Sequence, residues 1–189
     1  LLFALFGVWG LVICNKSKHY LKANFIWFFI GVLLTGFGSA YYHYAPNNAT
    51  LFWDRLPMTI TFMSFFSVVL ALFINDSLGK KTLYPLLLIG ISSILFWIFT
   101  NDLRFYVLVQ FVPIVLLILI LIVSNRNKIN KKYFIWIILA YVFAKLLEKY
   151  DLQVYEFLHF TMSGHSLKHL VASMAPFIFI VFLINNIFL

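Results

Sequence analysis

The sequence predicts an all-α membrane protein, a bundle of seven transmembrane helices with its N-terminus outside and its C-terminus inside. Three observations predict it: the composition, the punctuation of the chain into seven apolar stretches, and an alternation of charge between successive loops. Of 189 residues, 63% are hydrophobic and only 11% are charged, with a mean hydropathy of +0.98. A soluble domain carries about a quarter charged residues, so too little polar surface is present to cover a water-facing globule. Soluble enzymes, secreted modules and disordered chains are excluded on that ground. The chain reads as one membrane domain, 1–189, with no internal repeat or linker.

The apolar stretches, in order, are Leu1–Cys14, Phe25–Tyr44, Pro57–Ile74, Thr82–Phe99, Phe105–Val123, Tyr133–Leu147 and roughly Gly164–Leu189. A helix needs about 20 residues to cross a hydrocarbon core of about 30 Å, and most of these suffice with some tilt. The first stretch is shorter, at about 21 Å by rise per residue, and begins with Leu, so it is expected to be the remainder of a longer span truncated at its N-terminus. Neither a basic leader nor a small-residue cleavage site precedes it, which disfavours a signal peptide. Helices are expected because no alternating barrel pattern is present.

Charge then orients the spans. Lys16, Lys18, Lys22, Lys80, Lys81, Arg126, Lys128, Lys131 and Lys132 fall in the loops after spans 1, 3 and 5, whereas Arg55, Arg104, Lys145 and Lys149 fall on the opposite side. The positive-inside rule assigns the first set to the cytoplasm. The formal net charge of +8 is thereby a topological signal and not a sign of nucleic-acid binding. One cysteine, Cys14, excludes an internal disulfide.

The informative residues are polar groups at the outer ends of spans 2, 3 and 7. In span 2, Ser39 and His43 are spaced i, i+4, on one helical face about 6 Å apart along the axis. Trp53-Asp54-Arg55-Leu56-Pro57 follows a short outer loop. Pro57 suits a first helical turn and would leave Asp54 at or just before the entrance to span 3, where an N-cap or a partnership with Arg55 is the plainest role. Span 7 opens with Ser163-Gly164-His165-Ser166-Leu167-Lys168-His169, again placing two histidines one turn apart. Such a pair can point at a single cation, although hydrogen-bonded interfacial histidines are as common.

Span 2 runs outward and span 7 inward, so His43, Asp54, His165 and His169 all fall toward the extracytoplasmic face. Ionisable groups in a membrane cost about 2.5–3.5 kcal/mol each on insertion scales and call for a compensating partner. Three neutral imidazoles around a zinc ion supply one and leave a fourth position for water, whose pKa zinc lowers toward about 7. Asp54 would then orient the water and carry its proton, and Ser39 would hydrogen-bond the developing oxyanion. A single cysteine in span 1 disfavours thiolate-seeking metals.

Ser39-x3-His43, Asp54 eleven positions after His43, and His165-x3-His169 together resemble the CREST superfamily, which holds the alkaline ceramidases and the progestin/adipoQ receptors. Gly38-Ser39-Ala40-Tyr41-Tyr42-His43, Trp53-Asp54-Arg55-Leu56-Pro57-Met58-Thr59, and Lys145-Leu146-Leu147-Glu148 with Asp151 resemble the alkaline ceramidase branch. The resemblance extends over all seven spans. It implies a zinc amidase that cuts the N-acyl bond of ceramide-like membrane lipids with a long acyl chain, releasing a fatty acid and an amine lipid. His43, His165 and His169 would bind Zn2+, with Asp54 and Ser39 as catalytic residues. The animal enzymes carry an acidic calcium site near their N-terminus, whereas no Asp or Glu precedes Asp54 in this chain, which leaves Ca2+ dependence without support. Ser166-Leu167-Lys168 stands where the family commonly has a Trp-containing trio. The Lys168 cation there would favour an anionic headgroup.

Other readings stay open from the residues alone. A metal-containing receptor or sensor would keep the same histidines without turnover. A transporter would want polar residues along a whole path, yet spans 4 and 5 offer only Ser92, Ser93 and Gln110. A retinal Schiff base at Lys168 is disfavoured by its place near the mouth, and haem would leave Asp54 and Ser39 unexplained. His19 and His159 read as solvated and interfacial, and Glu148, Asp151 and Glu156 as a solvated acidic outer loop. Oligomeric state is left open by these patterns.

Overall fold

The computed structural model describes residues 1–126 and 129–188; Lys128 of the basic loops and Leu189 of the last apolar stretch lie outside the described residues. All regular structure among the described residues is helical. The chain groups into two compact units, Phe3–Ile129 with Leu1, and Asn130–Leu189 with Leu2.

The first unit holds α1 (Leu2–Lys16, bar Leu2), α2 (Lys22–Tyr44), α3 (Asn48–Phe73), α4 (Asp76–Thr100) and α5 (Arg104–Val123). Its centre is α3, which packs against α2, α4 and α5. Polar groups are few, and several of the buried ones bond within or between helices. Asn24 Nδ2 donates to Ser67 Oγ at 2.8 Å and to the Gly79 carbonyl at 3.1 Å, joining α2, α3 and the start of α4. Ser64 and Ser93 donate to carbonyls of their own helices, at Ile60 and Gly90. That is the expected economy where no water is present to compensate an orphaned hydroxyl.

Helix ends differ from the apolar boundaries because caps, not hydropathy, stop and start helices. Asn47 accepts from the Thr50 backbone N–H at 3.0 Å while Thr50 Oγ1 accepts from the Asn47 N–H at 3.1 Å, a capping box that starts α3 nine residues before the expected Pro57. Asp54 is therefore inside the second turn of α3 and is not its N-cap. Pro57 lies in the helix interior instead of the first turn. It has no N–H to give the Trp53 carbonyl one turn back. Likewise Asn75 caps α4 from Ser77 and Leu78, so Lys80 and Lys81 lie on the helix and not in a loop.

The second unit holds α6 (Lys132–Lys149), a short α7 (Asp151–Phe157) and α8 (Gly164–Leu183), which continues as a π-helical turn, Ile184–Phe188. Phe134 packs edge-on against Phe182 at 5.0 Å between centroids, and Phe179 stacks on Phe182 at 5.9 Å, forming the α6–α8 core. The stretch from Glu148 to Glu156 is not a loop: Glu148 ends α6, and Asp151 opens α7.

Five helices are long and apolar enough to cross a membrane: α2, α3, α4, α5 and α8 with its π turn. The chain is a multi-pass membrane protein. Large side chains such as Leu88 (64% exposed), Ile122 (73%) and Trp136 (61%) lie open at the surface, as lipid contact allows and water would not. Of the remaining apolar stretches, α1 has 15 residues and α6 carries Lys132, Lys145, Glu148 and Lys149 within 18.

Candidate metal centre

In the first unit, Ser39 and His43 occupy successive turns at the end of α2, Ser39 buried and His43 exposed. Gly38 decides how α3 passes this end. A Cβ there would overlap the Trp53 carbonyl oxygen, and would stand 3.3 Å from the Asp54 Cα. The carbonyl that Pro57 leaves without its helical donor thus lies against the bare Gly38 backbone, a close approach that only glycine permits. Asp54, half-buried, is brought alongside the end of α2 by that approach.

Arg55, next in the chain, meets two aromatic rings. Its guanidinium carbon lies 4.9 Å from the Trp97 ring centroid and 5.2 Å from that of Tyr106. Nη1 is buried with no hydrogen-bond partner among the described residues. The ring faces supply the compensation that a carboxylate would otherwise give. Arg55 is accordingly a packing cation between α3, α4 and α5 and not the outer-loop charge that the sequence suggested.

In the second unit, His165 and His169 lie on the first two turns of α8. Their Nε2 atoms are 3.3 Å apart and their rings cross at 69°. Two Zn–N bonds of about 2.0–2.1 Å at the tetrahedral angle separate their nitrogens by about 3.3 Å, so the pair already has the bite of two zinc ligands. The same separation suits an Nε2–H donated by one ring to the other.

The surroundings hold this turn of helix firmly. Ser163 Oγ accepts from the Ser166 N–H at 3.1 Å and caps α8. Asp151 Oδ1 accepts from the His165 backbone N–H at 2.7 Å. A Cβ on Gly164 would overlap the Leu147 carbonyl, so α8 begins hard against the end of α6. Lys168 Nζ reaches Glu148 Oε1 at 2.5 Å, and Lys145 Nζ reaches Glu148 Oε2 at 2.7 Å. Beyond the apolar part of α6, burial alone would raise the Glu148 carboxyl. The two lysine hydrogen bonds and charges outweigh it and hold the group down at about 2.

Two sequence-based roles change here. Lys168 is engaged by Glu148 and is not a free cation awaiting an anionic headgroup. Glu148 and Asp151 are not a free solvated loop: each is partly exposed and binds the start of α8. Sequence reading missed both contacts, although Lys145–Glu148 and Asp151 stood out in the resemblance; the physical signals were the Lys145/Glu148 i, i+3 spacing and two carboxylates shortly before a His-rich helix start. His19, expected in solvent, is half-buried, its Nδ1 accepting from the Leu21 N–H at 3.2 Å.

The five candidate residues thus divide as Ser39, His43 and Asp54 in one unit and His165 and His169 in the other. Comparison of the chain with protein-family models, with curated proteins and with solved structures returned no match to any of them.

Proposed function

We propose that this protein is an intramembrane zinc-dependent amide hydrolase of seven spans, N-terminus outside and C-terminus inside, that acts on ceramide-like N-acyl lipids at the extracytoplasmic side. The observation that carries the reading is the 3.3 Å separation of the His165 and His169 Nε2 atoms. The resemblance of the Ser39, His43, Asp54 and histidine-pair motifs to the alkaline ceramidases supplies the substrate class.

In this reading His43, His165 and His169 would hold the zinc. Neutral imidazoles without thiolate make a donor set that zinc accepts readily. The ion would supply Lewis acidity for the amide carbonyl and a water acidified to near neutral pH. The chain's own groups do the rest. Asp54 accepts the proton of the attacking water and returns it to the departing amine nitrogen. Ser39 donates its hydroxyl hydrogen to the carbonyl oxygen as negative charge gathers there. Water adds to the carbonyl carbon, the C–N bond breaks, and a fatty acid and an amine lipid leave.

The test pairs metal analysis with a lipid screen on detergent-purified protein. About one zinc per chain is expected, lost in His165→Ala, together with fatty-acid release from N-acyl sphingoid lipids in preference to N-acyl ethanolamines and esters. Protein without bound zinc refutes the metal. Zinc-loaded protein that releases no fatty acid refutes hydrolysis and leaves a receptor, sensor or transporter.

A further inference from the structure

We propose that Glu148 is a positioning residue for the His165/His169 pair, acting through Lys168, a role that rests on the metal-site reading above only for its purpose. Lys168 lies between the two histidines in sequence. At 100° per residue its side chain leaves α8 about 80° from the direction that bisects them. With the body of α8 seated on α6 by the Phe134, Phe179 and Phe182 core, a fixed partner for Lys168 restrains how the first turns of α8 rotate, and with that the direction in which both imidazoles project.

Glu148 is such a partner. It is held by Lys145 on its own helix at 2.7 Å and takes Lys168 at 2.5 Å, with the Lys168 side chain only 17% exposed. The other ties at this end constrain different motions. The Asp151 contact to the His165 N–H and the seating of Gly164 on the Leu147 carbonyl set how far α8 extends toward α6 and α7. Both lie close to the helix axis and resist rotation weakly. The Lys168 arm, which reaches Glu148 away from the axis, adds restraint against rotation of the first turns. Groups that orient ligands in this way typically change metal affinity by about 10–100-fold when removed.

Two readouts on the full-length chain in detergent keep this role separate from the metal reading. Imidazole 15N resonances of histidine-labelled, metal-free protein are expected to move for His165 and His169 in Glu148→Gln and in Lys168→Met, which keeps the aliphatic stem. The charge swap Glu148→Lys with Lys168→Glu is expected to restore them. Cobalt titration, read from the ligand-field spectrum, is expected to weaken about 10–100-fold in both single variants and to recover in the swap. Wild-type imidazole resonances retained in a folded single variant, or a swap that fails to restore them, overturn the proposal. Shifts and rescue in a protein that binds no cobalt uphold the positioning role while refuting the metal site.

Discussion

Replacing Gly38 by alanine tests the tightest of the glycine seats in the first unit. The added Cβ would meet the Trp53 carbonyl oxygen, a backbone atom that no rotamer change can move aside. Real Cβ atoms essentially never approach such a neighbour within 3.0 Å, so α2 and α3 must separate by on the order of an ångström. Overpacking of this kind costs about 1–3 kcal/mol, and alanine's higher helix propensity offsets about 1 kcal/mol of it. Because the obstacle is backbone, the cost falls in the upper half of that range, about 2–3 kcal/mol, and the net loss is about 1–2 kcal/mol. Gly90→Ala is the matched control: its Cβ would meet Met63 Cγ at 3.0 Å and Thr59 Cβ at 3.1 Å, side-chain atoms, one of them on a flexible methionine. There the neighbours need give only a few tenths of an ångström, so the propensity gain and the packing cost nearly cancel and the variant should lie within about 1 kcal/mol of wild type. Thermal unfolding in detergent, followed by tryptophan fluorescence, should separate the two variants by about 4–8 °C for a chain of this size. Variants that unfold within about 1 °C of each other, or a Gly90 change that is the more damaging, would refute the packing argument. Under the proposed hydrolase mechanism the same displacement carries Ser39 and His43 away from Asp54, and amide hydrolysis should fall by about 100-fold.

Asp54→Asn should retain zinc while amide hydrolysis falls by about 100- to 10,000-fold, because the amide cannot take a proton from water; full turnover by this variant removes Asp54 from the mechanism. The Glu148 carboxyl, held at about 2 against an ordinary 4.5, contributes stability that is fully present above about pH 5 and is lost as pH falls between 4.5 and 2. Unfolding measurements should therefore show wild type above Glu148→Gln by about 1 kcal/mol at neutral pH, a figure reduced for partial exposure, with the gap closing only in acid. A gap that closes between pH 6 and 8 would mean another group is responsible. Asn47→Ala removes the acceptor of the α3 capping box and should cost about 1 kcal/mol in the same assay, whereas Asn47→Asp should be nearly silent.

Legibility in the sequence varied with the range of the interaction involved. The one-turn spacing of Ser39 with His43, and of His165 with His169, needs nothing beyond helical periodicity, although the 3.3 Å approach of the two imidazoles also depends on their rotamers. Pro57 misled because its missing N–H is harmless in a first turn and tolerable in an interior one. Only the capping box at Asn47 and Thr50 told the two apart, and a boundary drawn by hydropathy passes over it. Asp151 and Glu148 read as solvated because acidic residues between apolar stretches usually are. Their engagement depends on α7 folding back so that chain separations of 14 and 20 residues become contacts of 2.7 and 2.5 Å.

The sequence by itself determined that this is an all-helical, multi-pass membrane protein, since hydropathy and charge density are sums over neighbouring residues that no later folding can alter. It determined equally which histidines share a helical face. Tertiary structure alone decided that Arg55 lies between aromatic rings, that Gly38 seats a carbonyl freed by Pro57, and that Lys168 is neutralised by Glu148. Each of those outcomes depends on which helix faces which, and in a chain so uniformly apolar the pattern of hydrophobic residues distinguishes one packing from another only weakly.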